Sequence, residues 1–354
     1  MIKVLIVDDS PTVLEYMQYI INSDDDLDVV GVAKDGKEAM DMAQRMHPDV
    51  ITMDLHMPVI NGYIATKEIM ENFPAPIIIM SSHIATDQSE YNFRAMEAGA
   101  VAVVEKPYGP GSPEDDPKIA KMIQTIKLMS EIKVVKRLSK YKKTTNAHSL
   151  LSPSRTEIVA IGVSTGGPPV IKTIISELSK DFPYPILIVQ HITSGFLQGM
   201  VEWLSKNAPL PIHIANQGDK IKGGHVYFAP DDFHMGIVKK GEIMLSKSEH
   251  EYGMRPSVSY LFRTITKTYG RDAIGMLLTG MGKDGAMELK AMRDSGSITI
   301  AQNKESSIVH GMPGEAIKLG GVEHILSPLE IVEFLNYIAN NNPLDTDEGI
   351  EHKS

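Results

Sequence analysis

A serine, a histidine and an aspartate each follow an apolar run in this chain, and their types suit nucleophilic chemistry. Ser164 closes the run Ile158-Val-Ala-Ile-Gly-Val, and after Thr165-Gly-Gly-Pro-Pro a helical pattern begins, Val170-Ile-Lys-Thr-Ile-Ile-Ser-Glu-Leu. A serine at a strand-to-helix turn stands at a sheet edge beside backbone N–H groups able to hold an oxyanion. Gly162 and Gly166 complete a Gly-x-Ser-x-Gly, and the spacing is not that of a dinucleotide loop. His191 follows Pro185-Ile-Leu-Ile-Val-Gln, and Asp284 lies in Gly280-Met-Gly-Lys-Asp-Gly after Ala273-Ile-Gly-Met-Leu-Leu-Thr. An imidazole to take the serine proton and a carboxylate to orient the imidazole make up a triad. The order Ser, His, Asp is not that of an α/β-hydrolase, so the Gly-x-Ser-x-Gly match does not imply that fold. Other readings stay open from the residues alone. Ser164 also suits a helix N-cap or a phosphate loop. His191 is one of twelve histidines and suits a hydrogen-bonded structural role, and Asp284 suits a turn. Asp231 and Asp232, after Val226-Tyr-Phe-Ala, are rival orienters.

A second polar set lies in the N-terminal third. Asp8 and Asp9 follow Val4-Leu-Ile-Val, Asp54 follows Val50-Ile-Thr-Met, Ser81 follows Ile77-Ile-Ile-Met, and Lys106 comes soon after Val101-Ala-Val-Val. Converging carboxylates repel unless a cation sits among them, and Mg²⁺ prefers oxygen ligands. With Mg²⁺ and Lys106 drawing off charge, Asp54 is placed to attack a phosphoryl donor and carry an acyl phosphate, with Ser81 bonding the phosphoryl oxygens. A structural metal or a screened acidic cleft is the competing reading.

The elements that must position these groups follow from the same runs. Five apolar strands alternate with helical patterns in the first part, the first helix opening on Ser10 as N-cap and Pro11 at its first position. This reads as a doubly wound parallel α/β sheet of five strands, which places functional residues outside the carboxyl ends of its strands. An amphipathic helix from Ile119 is expected to run to about Leu138. Residues 132–156 carry seven Lys or Arg and no Asp or Glu, so 131–156 reads as a basic interdomain linker, solvated or laid on an acidic face. Residues 157–340 form a second, larger, mostly parallel Rossmann-like α/β pattern, with an antiparallel hairpin over Gly236–Leu245 turning near Lys240-Gly241. Residues 341–354 read as a polar tail.

The chain has 354 residues, 42% of them hydrophobic and 23% charged, with a formal charge of −10 and no cysteine. The acidic balance argues against a nucleic-acid partner. The lack of cysteine excludes disulfides, thiolate zinc sites and a cysteine nucleophile. No apolar run approaches membrane-spanning length and no signal peptide precedes the first strand, so a cytoplasmic protein without direct membrane insertion is expected.

Residues 1–130 resemble a response-regulator receiver domain in Val-Asp-Asp-Ser (7–10), Met-Asp-Leu-His-Met-Pro (53–58), Asn61-Gly62, Ser81 and Lys106-Pro107. The resemblance implies phosphorylation of Asp54 by a chemotaxis histidine kinase. It also implies Mg²⁺ held by Asp9, Asp54 and the backbone carbonyl of His56, with Asp8 assisting. The second part resembles the chemotaxis protein-glutamate methylesterase (CheB) family. The matching segments are Ile-Gly-Val-Ser-Thr-Gly-Gly-Pro (161–168), Val-Gln-His (189–191), Tyr-Phe-Ala-Pro (227–230), Arg-Pro-Ser-Val (255–258), Leu-Leu-Thr-Gly-Met-Gly-Lys-Asp-Gly-Ala (277–286), Ala-Gln-Asn (301–303) and Gly-Met-Pro with Glu-Ala (311–316).

By that resemblance Ser164 is the nucleophile, His191 the general acid/base and Asp284 its orienter, with the N–H groups of Thr165 and Met281 as oxyanion hole. The implied substrates are methyl esters of glutamate on chemoreceptors, hydrolysed with release of methanol and without a cofactor, and receptor glutamines, which are deamidated. An unphosphorylated receiver is implied to restrain the esterase. A non-enzymatic adaptor, a DNA-binding regulator and a hydrolase for another substrate are the rival readings. Three positions depart from the family pattern: Val103 where an aromatic is frequent, the Gly/Pro-rich loop 108–117, and Ser259 where an acid is frequent. The last is expected to alter hydrogen bonding without touching the triad.

Overall fold

Sequence runs rich in Val and Ile form strands buried on both faces, as parallel sheets covered by helices require. The computed structural model describes residues 1–81, 86–107, 109, 115–132, 134 and 156–341. Most of the linker, of the loop 108–117 and of the polar tail lies outside the described residues. The chain divides into two units, Met1–Lys142 and Lys143–Ser354, the boundary falling inside the basic segment.

The first unit alternates β1 (Ile2–Val7), α1 (Pro11–Asn22), β2 (Leu27–Ala33), α2 (Gly36–Met46), β3 (Val50–Asp54), α3 (Gly62–Asn72), β4 (Ile77–Ser81), α4 (Thr86–Ala98), β5 (Ala102–Glu105) and α5 (Asp115–Ser130). All strands pair in parallel in the order β2-β1-β3-β4-β5. The chain turns outward from β1 first to β2 and then to β3, so the switch point lies at the carboxyl ends of β1 and β3. Ser10 caps α1 by accepting from Val13 N, with Pro11 at the first position, as expected. The expected helix to Leu138 instead ends at Ser130. There the Ser130 hydroxyl donates to Lys127 O and competes for the helix carbonyls.

The second unit contains β6 (Ile158–Val163), α6 (Gly167–Ser176), β7 (Ile186–Gln190), α7 (Leu197–Ser205), β8 (Ile212–Ile214), β9 (Val226–Phe228), β10 (His234–Lys239), β11 (Glu242–Ser246), α8 (Val258–Tyr269), β12 (Ala273–Leu277), α9 (Ala286–Asp294), β13 (Ile298–Gln302), α10 (Met312–Lys318), β14 (His324–Leu326) and α11 (Pro328–Asn340). Seven strands form one sheet in the order β14-β13-β12-β6-β7-β9-β8, and its pairings are parallel. The antiparallel hairpin β10–β11 turns at Gly241 and forms its own two-stranded sheet. Helix α8 packs on it closely at Gly236, where a Cβ would come within 2.9 Å of Thr264 and Tyr260. From β6 the chain moves to β7, jumps to β8 at the edge, fills the place between them with β9, then returns to build β12, β13 and β14 on the other side. The switch point of this sheet is therefore β6/β12.

Candidate active site

Ser164 continues β6 by donating its N–H to Thr279 O at 3.0 Å, and its carbonyl accepts from Gly167 N at 2.9 Å. The residue that caps α6 is Gly166, at φ +77°, so Ser164 is not the helix N-cap. The turn is tight on every side. A Cβ on Gly166 would lie 2.7 Å from Ile308, and one on Gly280 would lie 2.7 Å from the Cβ of Ser164. Gly280 thus lets the loop after β12 close against the serine, and Gly166 lets the segment after β13 approach at Ile308. Among the described residues, the N–H groups of Thr165 and Met281 donate no hydrogen bond within the chain, which leaves both available to an incoming oxygen.

His191 is one strand over. Val163 and Gln190 are register partners of β6 and β7, so the next residues, Ser164 and His191, are neighbours at the sheet edge. Adjacent strands lie about 4.8 Å apart. His191 Nε2 lies 3.0 Å from Asp284 Oδ2, while Nδ1 is buried and without a partner. No hydrogen bond joins Ser164 Oγ to His191 among the described residues; such contacts often tighten only with substrate bound.

Asp284 is held by four donors. Oδ2 accepts from Val258 N at 2.7 Å and from His191, and Oδ1 accepts from Ser257 Oγ and Ser259 N, both at 2.9 Å. Three of these donors form the start of α8, where the helix dipole also favours a negative charge. Burial alone would raise the pKa of this carboxyl, but the hydrogen bonds and charge of His191 and the contact with Ser259 outweigh it, and the group sits below the ordinary aspartate value. The rivals lie elsewhere: Asp231 accepts from Gly195 N at 2.7 Å, and Asp232 pairs with Arg255. Ser259 corrects one expectation. Its N–H touches Asp284 directly, and its hydroxyl accepts from Gly285 N at 2.9 Å while donating to Glu288 at 2.7 Å.

Two buried glutamines support the site without having been assigned a role from sequence. Gln190 Nε2 donates to Ser164 O at 2.9 Å and to His191 O at 2.7 Å, tying the two loop starts together. Gln302 Oε1 accepts from Thr279 N at 2.8 Å, and Thr279 Oγ1 donates to Thr165 O at 2.9 Å. Both glutamines end apolar strands, the one signal that marks them in the sequence.

In the first unit the carboxylates of Asp8, Asp9 and Asp54 gather at the switch point, one oxygen of each within 4.8 Å of the others. Lys106 Nζ bridges Asp8 at 2.6 Å and Asp54 at 2.8 Å. Burial raises the pKa of Asp8, and Lys106 only partly offsets it. Burial opposes the charge on Lys106, but Asp54 and Asp8 outweigh it and raise its pKa. Three carboxylates against one ammonium leave negative charge in excess, and the all-oxygen donor set fits a hard divalent cation. Ser81 and Asn92 are joined at 3.3 Å beside this pocket, and the side chain of His56 is exposed, in edge contact with Tyr91. The Asn61-Gly62 pair has a geometric reason. Asn61 caps α3, and a Cβ on Gly62 would lie 1.9 Å from Asp54 O.

Known proteins agree with this architecture. Residues 159–335 match the CheB methylesterase family and residues 4–112 the response regulator receiver domain. A protein-glutamate methylesterase/protein-glutamine glutaminase of Nitrosospira multiformis is 51% identical over 338 residues, covering 93% of this chain and 94% of that protein. One from Geobacter metallireducens is 47% identical over 344 residues, covering 96% and 99%. The crystal structure of the Thermotoga maritima CheB methylesterase catalytic domain superposes with a TM-score of 0.50 at 36% identity, covering 52% of this chain and 98% of that one. No helix among the described residues is long and apolar enough to cross a membrane. With both its halves matched and its relatives aligned along nearly their whole length, the chain belongs to the CheB methylesterase family, with a response-regulator receiver domain preceding the esterase domain.

Proposed function

We propose that this protein is a phosphorylation-activated protein-glutamate methylesterase and glutaminase of the cytoplasm, acting on chemoreceptors and phosphorylated by a chemotaxis histidine kinase. Its parts are a receiver (1–130), a basic linker (131–156), an esterase domain (157–340) and a polar tail (341–354). The observation that carries the reading is the His191–Asp284 pair beside Ser164, with His191 Nδ1 buried and unpartnered. The carbonyls of Glu and Gln side chains differ little, so one site serves both reactions.

Ser164 Oγ attacks the ester carbonyl carbon while His191 takes the hydroxyl proton at Nδ1. Asp284 accepts from Nε2–H, fixes that tautomer and steadies the imidazolium. The N–H groups of Thr165 and Met281 receive the oxyanion. His191 returns the proton to the leaving methoxide, and methanol departs. Water then attacks the acyl-serine with His191 as base, freeing glutamate. With a glutamine substrate the leaving group is ammonia. This ring faces the carboxylate through Nε2, the reverse of the chymotrypsin arrangement.

In the receiver Asp54 is the phosphoryl acceptor. Asp9, Asp54 and the backbone carbonyl of His56 would hold Mg²⁺, with Asp8 assisting. When bound, the ion supplies charge neutralisation for the incoming phosphoryl group. Lys106 steadies Asp54, and Ser81 hydrogen-bonds the phosphoryl oxygens. Phosphorylation raises esterase activity, and the esterase step itself uses no cofactor.

The test is methanol release from methyl-labelled chemoreceptor membranes, with and without a small phosphodonor and Mg²⁺. Release that rises with phosphodonor, disappears in Ser164→Ala and loses its stimulation in Asp54→Ala is expected. No release from the parent protein, with Asp54 still phosphorylated, would refute the esterase assignment.

A further inference from the structure

His234, the first residue of β10, is fully buried. Its ring stacks on Tyr260 of α8, with centroids 4.9 Å apart. Nε2 lies 3.0 Å from Glu249 O, an atom that only accepts, so Nε2 carries a proton. Nδ1 lies 3.1 Å from Ser257 N, an atom that only donates, so Nδ1 is bare. The two contacts together define a neutral imidazole of one tautomer, with no freedom to flip.

Ser257 is the residue through which this ring reaches the chemistry. It caps α8, its hydroxyl donates to Asp284 Oδ1 at 2.9 Å, and the next two N–H groups donate to the same carboxylate. A helix start presents several unbonded N–H groups, and their direction depends on how the cap is held. His234 holds it, and only an acceptor at the Nδ1 position can do so. Three hydrogen bonds then run from His234 through Ser257 and Asp284 to His191 Nε2.

We infer that His234 is a positioning residue for the esterase step, setting Asp284 and through it the tautomer and aim of His191. The inference rests on the reading of Ser164, His191 and Asp284 as the working triad. Outer-shell partners of this kind hold reacting groups to within fractions of an ångström.

The experiment compares His234→Phe and His234→Asn in the full chain. Phenylalanine keeps the ring on Tyr260 but removes the acceptor; asparagine restores an acceptor near Nδ1. His234→Phe is expected to lower kcat for methanol release about 10²-fold with KM nearly unchanged, the size of loss that a displacement of about 1 Å produces. The acid limb of its pH–rate profile moves to lower pH, because the His191 imidazolium loses a well-aimed carboxylate. His234→Asn recovers most of the rate and the original limb. His234→Gln keeps a donor for Glu249 O but carries no acceptor at the Nδ1 position, so it shifts the limb in the same direction and serves if His234→Phe does not fold. An unmoved limb in a folded His234→Phe or His234→Gln, or an Asn variant as impaired as Phe, would overturn the inference. A parent protein without Ser164-dependent release would instead sink the esterase reading. The Nε2–H resonance of His191 in histidine-labelled full-length protein still tests His234 in that case. It is expected to shift in His234→Phe and stay in His234→Asn, and an unchanged resonance in both overturns the inference.

Discussion

Asp284→Asn is the substitution whose effect the geometry constrains most closely. The carboxylate accepts from two donors on each oxygen. An amide offers one acceptor and one donor, so one side of the cradle meets an NH₂ group. If the NH₂ replaces Oδ2, it faces Val258 N–H and His191. The backbone donor is orphaned, and His191 can bond only by moving its proton to Nδ1, where it can no longer receive the serine proton. That wrong-tautomer state costs about 10⁴-fold in kcat in a related triad. If the NH₂ replaces Oδ1, the Ser257 hydroxyl rotates to accept, Ser259 N–H is orphaned, and His191 keeps its tautomer. The loss is then that of a charged partner, about 1.5–3 kcal/mol, or roughly 10- to 10²-fold. Each orientation orphans one buried backbone donor, so stability falls by about 1–3 kcal/mol whichever is adopted. The assay is single-turnover methanol release with the parent and variant at equal phosphorylation, alongside urea unfolding. A combined loss between about 10- and 10⁴-fold with reduced stability is expected. A variant at near-parental rate would refute the assignment of Asp284 as the partner of His191.

Two further outcomes follow, one from each unit. Gly62→Ala forces a Cβ into a position 1.9 Å from Asp54 O, against backbone and not a flexible side chain. Loss of phosphodonor labelling and a receiver destabilised by about 1–3 kcal/mol or more are expected, and normal labelling with unchanged thermal unfolding would contradict the packing. Asp284 has a folded-state pKa below the ordinary value of 3.8, so its contribution to stability is present above that value and lost as pH falls through the folded one. Thermal unfolding followed downward from about pH 4 should therefore show a decline that is shallower in Asp284→Asn, and identical slopes would contradict this.

Much of the site was legible because parallel sheets collect polar residues at one end. Ser164, His191, Asp8, Asp54 and Ser81 each end or follow an apolar run, and strand direction alone sends them to a common edge. What resisted reading depends on contacts between distant segments. Spacing left Asp231 and Asp232 as rivals to Asp284, and only the placement of Gly195 and Arg255 draws them away. The start of α8 forms a carboxylate cradle by meeting a loop about 25 residues further on, so sequence places Ser259 out of contact with Asp284, whereas its N–H donates to that carboxylate. The strands β8 and β14, three residues each, are too short to show a period. Nothing in a sequence tells which ring nitrogen of His191 faces the carboxylate, because rotating the ring about its Cβ–Cγ bond costs no change in residue type.

The sheet's growth from its centre has a consequence for the newly made chain. Ser164 and His191 emerge from the ribosome just behind β6 and β7, while Asp284 comes only after β12, and the backbone around Gly311 that stitches to Gly280 comes later still. Domains fold during synthesis as their parts become available, and parallel strands distant in sequence pair slowly. A nascent or prematurely terminated copy that stops before β12 thus carries a serine and a histidine with no acid to orient them. On the proposed triad, the chain gains its hydrolase chemistry only when the second wing of the sheet docks against the first.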